Sequence, residues 1–245
     1  VGGFEVGFQI GPRLNAAGRL ESATVAMDLL RETDAATATK LAGKLDRQNR
    51  ERQRAEKEMT RQVIDAVRNR FNPETDYVIV EGDAGWHIGV VGIVASRVMR
   101  EFYRPAVIVG GSPDDGLRGS GRSVEGFDLA AALCECEREG HLERAGGHAM
   151  AAGVSLQQEN LDAFRNHLNE LAREQLAGKD LMPTLRLDAS VPLSVLTLAA
   201  VDSLEQLQPT GQGNHSTQFA VPQLVLDAPV RRMGKEKQHA KLSVT

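Results

Sequence analysis

Four short stretches combine residue types suited to capturing a phosphate. Ser120-Gly121-Arg122-Ser123 offers a hydroxyl and a guanidinium two residues apart, so on a strand Ser120 and Arg122 leave the same face. Gly146-Gly147-His148 begins a run to Gly153. Its paired glycines predict a tight turn where no Cβ keeps a ligand from backbone N–H groups, with the His148 ring beside them. Arg13, Asn15 and Arg19 fall within GPRLNAAGRL, residues 11–20. The Gly-Pro start and second glycine predict a loop bearing two guanidiniums and an amide. The fourth stretch, EGDAGWHIG over residues 81–89, carries His87 and Gly89 between a predicted strand and a predicted helix, a layout that aims helix N-terminal amides at an anion. Amides, a hydroxyl, guanidiniums and an imidazole together make a phosphate pocket. Taken singly, each stretch reads as a solvated loop or a turn with a structural histidine; their combination favours a site. Trp86, the one tryptophan, is expected to serve as core or lid rather than to stack on a base.

Regular elements must position these residues. Tyr77–Val80, Pro105–Gly110, Leu117–Ser123 and Gly153–Leu156 are short apolar or β-branched runs and predict strands. Val90–Phe102, Phe127–Glu139 and Leu161–Leu176 have helical spacing. This alternation is α/β, with helices covering a largely buried sheet and ligands expected beyond strand ends. A polar turn, Ser112–Gly116, joins two of the strands. Upstream, Ser22 caps a short helix ending near residues 30–32, and Asp34 caps a long one running to about Arg70, stopped by Asn72-Pro73. Its seam is apolar at both ends and polar in the middle (Gln48, Asn49, Arg52, Gln53), which predicts a bridge between two bodies with a wet centre. Downstream of Pro183 the texture changes. Leu185–Asp188 alternates, Leu193–Leu207 reads as a helix, Pro209–Asn214 as a turn, and Phe219–Val221, Leu224–Leu226, Val230–Met233 and Ala240–Val244 as strands opening a small β-barrel.

With 245 residues, 41% hydrophobic and 25% charged, the chain is a soluble globular type with no run long enough to cross a bilayer. The net charge of −4 excludes nucleic-acid binding by bulk positive charge, so any such site is a local cleft. Cys134 and Cys136 are the only cysteines; two apart on a helix they face apart, giving neither a disulfide nor a zinc site, and free thiols suit a reducing cytoplasm. The chain starts without Met or a signal peptide and stops inside a strand-like run, so a piece of a longer protein is expected.

In their order, GPRLNAAGRL, GWHIGVVGIVASR, SGRS and GGHAMAAG resemble the RecJ family of single-strand-specific exonucleases, within the DHH phosphoesterase superfamily; LQPTGQGN resembles that family's run into its OB-fold. The resemblance implies a layout: residues 1–33 as the tail of a catalytic DHH domain, 34–72 as the interdomain connector helix, 73–180 as a DHH-associated mixed-sheet substrate domain, and 181–245 as the start of an OB-fold-like barrel. It implies 5′→3′ hydrolysis of single-stranded DNA by two Mg²⁺ or Mn²⁺ ions held upstream. No Asp-His-His occurs in this chain, so it is expected to hold no metal and to be inactive alone. Arg13, Asn15 and Arg19 then face the cleft from the catalytic side, His87 and Gly89 match the glycine turn, Ser120 and Arg122 hold the terminal 5′ phosphate, and Gly146, Gly147 and His148 form the substrate-binding turn. The implied partners are single-stranded DNA, with a single-strand-binding protein and a helicase in repair and no membrane; the chain would be a cytoplasmic monomer. The alternatives are a non-catalytic nucleic-acid-binding module and a phosphoesterase for short oligonucleotides or cyclic dinucleotides, the latter disfavoured by the β-rich segment. A metal set of Asp83, His87 and His148 is the weaker reading of those three side chains.

Overall fold

A computed structural model describes residues 1–112, 116–211, 213–234 and 237–245. Residues Val1–Met182 form one compact unit and Pro183–Thr245 a second. The expected turn at Pro113-Asp114-Asp115, and Gln212 of the expected Pro209–Asn214 turn, lie outside the described residues.

The first unit is built on a five-stranded mixed sheet with strand order β1-β2-β3-β5-β4. Its strands are β1 (Ile79–Asp83), β2 (Ala106–Ser112), β3 (Gly116–Arg122), β4 (Arg144–His148) and β5 (Ala151–Leu156). Only β1 and β2 run parallel; the other pairings are antiparallel. Alternation along the strands feeds two cores. Val80, Val107, Val109, Leu117 and Val154 face α5 (Leu129–Arg138) and α6 (Leu161–Leu176). Ile79, Ala106 and Ile108 face α3 (Ala35–Arg70) and α4 (Ile88–Phe102), where Val63, Val90 and Val94 are fully buried.

Gly11–Leu20 is not the expected loop but a helix, α1. Pro12 fits the first turn, where its missing N–H costs no hydrogen bond, and the buried Ala16 and Ala17 seat the helix. A π-helical turn, Glu5–Ile10, leads into it, and α2 (Thr24–Arg31) follows, with the Ser22 hydroxyl accepting from the Thr24 N–H at 3.2 Å. Ala17, Ala26 and Leu45 form a small core between α1, α2 and the first half of α3.

The expected wet centre of α3 is also corrected. Asp34 does cap the helix, accepting from Thr37 N–H at 2.8 Å; the Thr37 hydroxyl first, and then this bond, hold its carboxyl below the ordinary value. Part of the helix's polar middle, however, is buried: Gln48, Asn49 and nearby Glu56 are each under 5% exposed, while Arg52 is half-buried and Gln53 exposed. The three buried residues stay there because each finds a polar partner. Gln48 donates to Glu21 Oε2 (3.0 Å), Arg52 donates to Asn49 Oδ1 (3.0 Å), and Glu56 pairs with Arg52 on its own helix and Arg97 on α4.

The second unit contains α7 (Leu198–Glu205), a short 3₁₀ turn at Leu193–Val195 where one continuous helix was expected, two small strand pairs and isolated bridges. β6 (Ala189–Ser190) pairs parallel with β7 (Phe219–Ala220), and β8 (Arg231–Met233) antiparallel with β9 (His239–Lys241). The alternating Leu185–Asp188 is the approach to β6, and the expected strand Leu224–Leu226 contributes one isolated bridge, Leu226 with Val244.

Candidate nucleic-acid interface

Ser120 and Arg122 leave β3 on the α4 face of the sheet. The Arg122 guanidinium donates from Nη1 to Ser120 Oγ and to the Gly121 carbonyl, both at 2.7 Å, which fixes the fork beside the hydroxyl. The pair fits under α4 because position 92 lacks a side chain: a Cβ there would lie 3.2 Å from Ser120 Oγ and 3.3 Å from Arg122 Nη2.

The N-terminus of α4 arrives at the same place. His87 caps it, its Nδ1 accepting from the Gly89 N–H at 3.0 Å, so a neutral imidazole carries its proton on Nε2. Arg19, at the end of α1, donates from Nη1 to the Gly89 carbonyl at 3.1 Å. These elements enclose a cavity of about 650 Å³ lined by Arg19, His87, Gly89, Arg118, Ser120 and Arg122. Arg118 and His87 also line an adjoining cavity of about 500 Å³ beside Trp86. The Trp86 indole N–H is committed to Gln62 Oε1 at 2.8 Å, as suits a lid packed on α3.

The cavity is cationic. Burial, then the neighbouring charge of Arg19, pushes the Arg122 guanidinium below its ordinary value. Among the described residues neither Arg19 nor Arg122 is ion-paired. A carboxylate does line the wall, Glu21, but it is engaged by Gln48 and Lys44. Two guanidiniums without acids, a hydroxyl and a helix N-terminus form a set of anion donors.

Other expected site residues lie elsewhere. Arg13 turns away: its Nε donates to Asp46 Oδ1 at 3.0 Å and its Nη1 to the Gln9 carbonyl at 2.8 Å. It lines a separate apolar hollow with Leu14, Leu29 and Leu45. Asn15 is exposed on α1 and is not among the cavity-lining residues; once the segment is helical, Arg13, Asn15 and Arg19 no longer share one loop surface. Gly146-Gly147-His148 is not a turn but the edge strand β4; the turn itself falls on Ala149-Met150. Pairing with β5 along its length satisfies the segment as a strand, glycines included. His148 does not line the cavity, so the imidazole there is His87.

Register nevertheless relates His148 to Arg122. Arg122 pairs with Ala151 and Ala151 with His148, so the three form one row and point to one face. Two strand spacings set Arg122 and His148 about 10 Å apart. The neighbouring rows are Ser120–Gly153–Gly146 and Arg118–Ser155–Arg144. Gly146, Gly153, Arg144 and His148 are exposed, leaving an open floor of small residues edged by basic ones beside the cavity. Arg118 was missed in the sequence, although its period-two spacing from Ser120 and Arg122 already put it on their face.

This chemistry does not fit a divalent metal: the cavity presents cations, and Asp83, His87 and His148 do not gather. Among the described residues the one cluster of three potential ligands is Glu139, His141 and His167.

Comparison with known proteins gives these features a family. Residues 74–174 match the DHHA1 domain and residues 187–245 the RecJ OB domain. The chain belongs to the RecJ family. It is 38% identical over 240 residues to the single-stranded-DNA-specific exonuclease RecJ of Bacillus subtilis, covering 98% of this chain and 30% of that protein. Escherichia coli RecJ is 33% identical over 223 residues, covering 85% of this chain and 37% of that one. The crystal structure of Thermus thermophilus RecJ in complex with Mn²⁺ superposes with a TM-score of 0.82 at 34% identity, covering 98% of this chain and 34% of that one. The chain thus spans about a third of the length of these relatives. Among the described residues no helix is long and apolar enough to cross a membrane.

Proposed function

We propose that this RecJ-family chain holds the substrate for a 5′→3′ single-strand exonuclease, gripping the terminal 5′ phosphate while metals bound outside the described residues serve the hydrolysis. The convergence of Arg19, Ser120 and Arg122 on the α4 N-terminus, in a cavity where neither guanidinium has a carboxylate partner, supports the reading most strongly. A terminal phosphate carries the charge and the free oxygens that such a set satisfies. The open floor over β5 and β4 offers the rest of a strand a surface with little side-chain relief. The chain's contribution to catalysis is placement: fixing the 5′ end fixes which phosphodiester reaches the metals, and positioning of this kind lowers a barrier by several kcal/mol. The relatives named single-stranded-DNA-specific exonucleases favour this reading over a phosphoesterase for short oligonucleotides.

The test is fluorescence anisotropy of this chain with single strands bearing a 5′ phosphate or a 5′ hydroxyl. Arg122→Ala removes charge-assisted hydrogen bonds worth roughly 1.5–3 kcal/mol, so affinity for the phosphorylated strand falls about tenfold to a hundredfold while the hydroxyl strand changes little. Equal losses on both strands overturn the end grip. Cleavage by the intact reading frame with Mn²⁺ separates an exonuclease from a non-catalytic binding module.

A further inference from the structure

The second cluster of chemistry-bearing side chains lies on the other face of the sheet, away from the cationic cavity. Glu139 and His141 sit on the connection from α5 to β4, and His167 on the middle of α6. His167 Nε2 is 3.2 Å from Glu139 Oε2, and His141 Nε2 is 4.0 Å from the same oxygen. The two imidazole rings lie against each other, centroids 4.8 Å apart at 36°. One potential ligand atom from each of the three residues lies within 4.8 Å of the other two.

Two observations distinguish this group from an ordinary surface ion pair. First, His167 Nε2 is fully buried and makes no hydrogen bond, because the nearby Glu139 oxygen is badly angled for one. Buried ring nitrogens left without a partner are uncommon, and a lone pair aimed at a cation resolves this one. Second, the other nitrogen of the same ring, Nδ1, has Glu170 Oε2 at 3.8 Å, one turn along α6. That distance is longer than a hydrogen bond, but a small rotation of the exposed Glu170 side chain would let it accept from Nδ1 and fix the tautomer that leaves Nε2 free for metal.

We infer that Glu139, His141 and His167 form a binding site for a transition-metal dication of the Zn²⁺ class, with Glu170 orienting His167. Two imidazoles and one carboxylate suit that class and disfavour Mg²⁺, which takes oxygen ligands. Tetrahedral bonds of about 2.0–2.1 Å place ligand atoms roughly 3.4 Å apart, so the widest present spacing, up to 4.8 Å, closes by roughly 1.4 Å shared between two side chains, with water in the fourth position. Cys136, three residues before Glu139, is buried and is not part of the cluster. The bound ion would tie the α5–β4 connection to α6. His141 stands three residues before β4, so the ion would brace the edge strand that carries Gly146 and His148. This site is structural in role, and its existence is independent of the proposed substrate grip.

The probe is Co²⁺, followed by its visible absorption in the chelator-treated chain with Cys134→Ser in the background to remove the exposed thiol. One equivalent binds with the intense bands of a tetrahedral site, and Zn²⁺ displaces it and raises the melting temperature. His141→Ala and His167→Ala abolish both signals with unchanged circular dichroism. Glu170→Gln, on an exposed side chain that leaves the fold undisturbed, weakens binding roughly tenfold to a hundredfold. Absence of tetrahedral bands in the parent chain, or bands that survive Glu170→Gln and either histidine substitution at full strength, overturns the site.

Discussion

Gly89 and Arg19 meet backbone to backbone: a Cβ at position 89 would lie 1.9 Å from the Arg19 carbonyl oxygen, while the Arg19 guanidinium donates to the Gly89 carbonyl at 3.1 Å. The absence of a side chain at the start of α4 therefore sets how closely α1 docks and where Arg19 points. Gly89→Ala forces the two helices apart. It costs at least the 1–3 kcal/mol typical of overpacking, about 4–8 °C per kcal/mol in a small domain and less in a larger one, and weakens binding of a 5′-phosphorylated strand. Differential scanning calorimetry and anisotropy check both; unchanged melting shows that the contact yields.

Gly92 separates stability from binding. The methyl of Gly92→Ala would press at 3.2–3.3 Å on the flexible ends of Ser120 and Arg122, whereas alanine improves the helix by up to about 1 kcal/mol. The expected result is an unchanged or higher melting temperature with severalfold weaker affinity for the phosphorylated strand. A drop in stability without a drop in affinity contradicts the placement of the guanidinium.

Glu81 provides a pH signature. Burial raises its carboxyl above the ordinary value of 4.5, with Arg70 and Arg165 opposing that shift and Asp162 adding to it. Because the native state holds this proton more tightly than the unfolded chain does, Glu81 favours folding most at low pH, and that contribution fades as pH rises from about 4.5 through its raised native value. Glu81 is ion-paired with Arg70, but burial outweighs the pair, so the sign is opposite to that of a carboxylate whose partner dominates. Melting temperatures of the parent and Glu81→Gln across this window should differ in slope, the variant being flatter; parallel curves contradict the assignment.

The two cysteines should differ sharply towards alkylating reagents. Cys136 is buried, and burial together with the charge of Glu139 pushes its thiol up to about 12, whereas Cys134 is exposed. Iodoacetamide at neutral pH should add one label to the native chain, at Cys134, and a second only after denaturation. Mass spectrometry reads both; two labels on the folded chain contradict the packing of α5.

Local patterns made much of the fold legible. The β-branched run Pro105–Gly110, the helical spacing of Leu161–Leu176 and the Asp34 cap read directly, because each depends on neighbours in sequence; the strand expected at Tyr77–Val80 starts at Ile79 and runs on to Asp83, into the expected glycine turn. Glycine misled twice. In Gly11–Leu20 it accompanies a helix held by Ala16 and Ala17, and in Gly146–His148 it lies in a strand held by β5. In both cases tertiary pairing overrides a weak local preference. The burial of Gln48 and Glu56 was hidden because their partners Glu21 and Arg97 lie 27 and 41 positions away in sequence. For the same reason the sequence showed Arg122 and Ser120 as neighbours but not that Arg19, rather than Arg13, would join them.

Two like charges, Arg19 and Arg122, are held side by side with no acid between them. The fold therefore holds a repulsion that an oxyanion bridging the two would relieve. Under the proposed end grip, a dianion bridging both would be held more firmly than by either cation alone, which makes the junction of α1 with the sheet part of the grip.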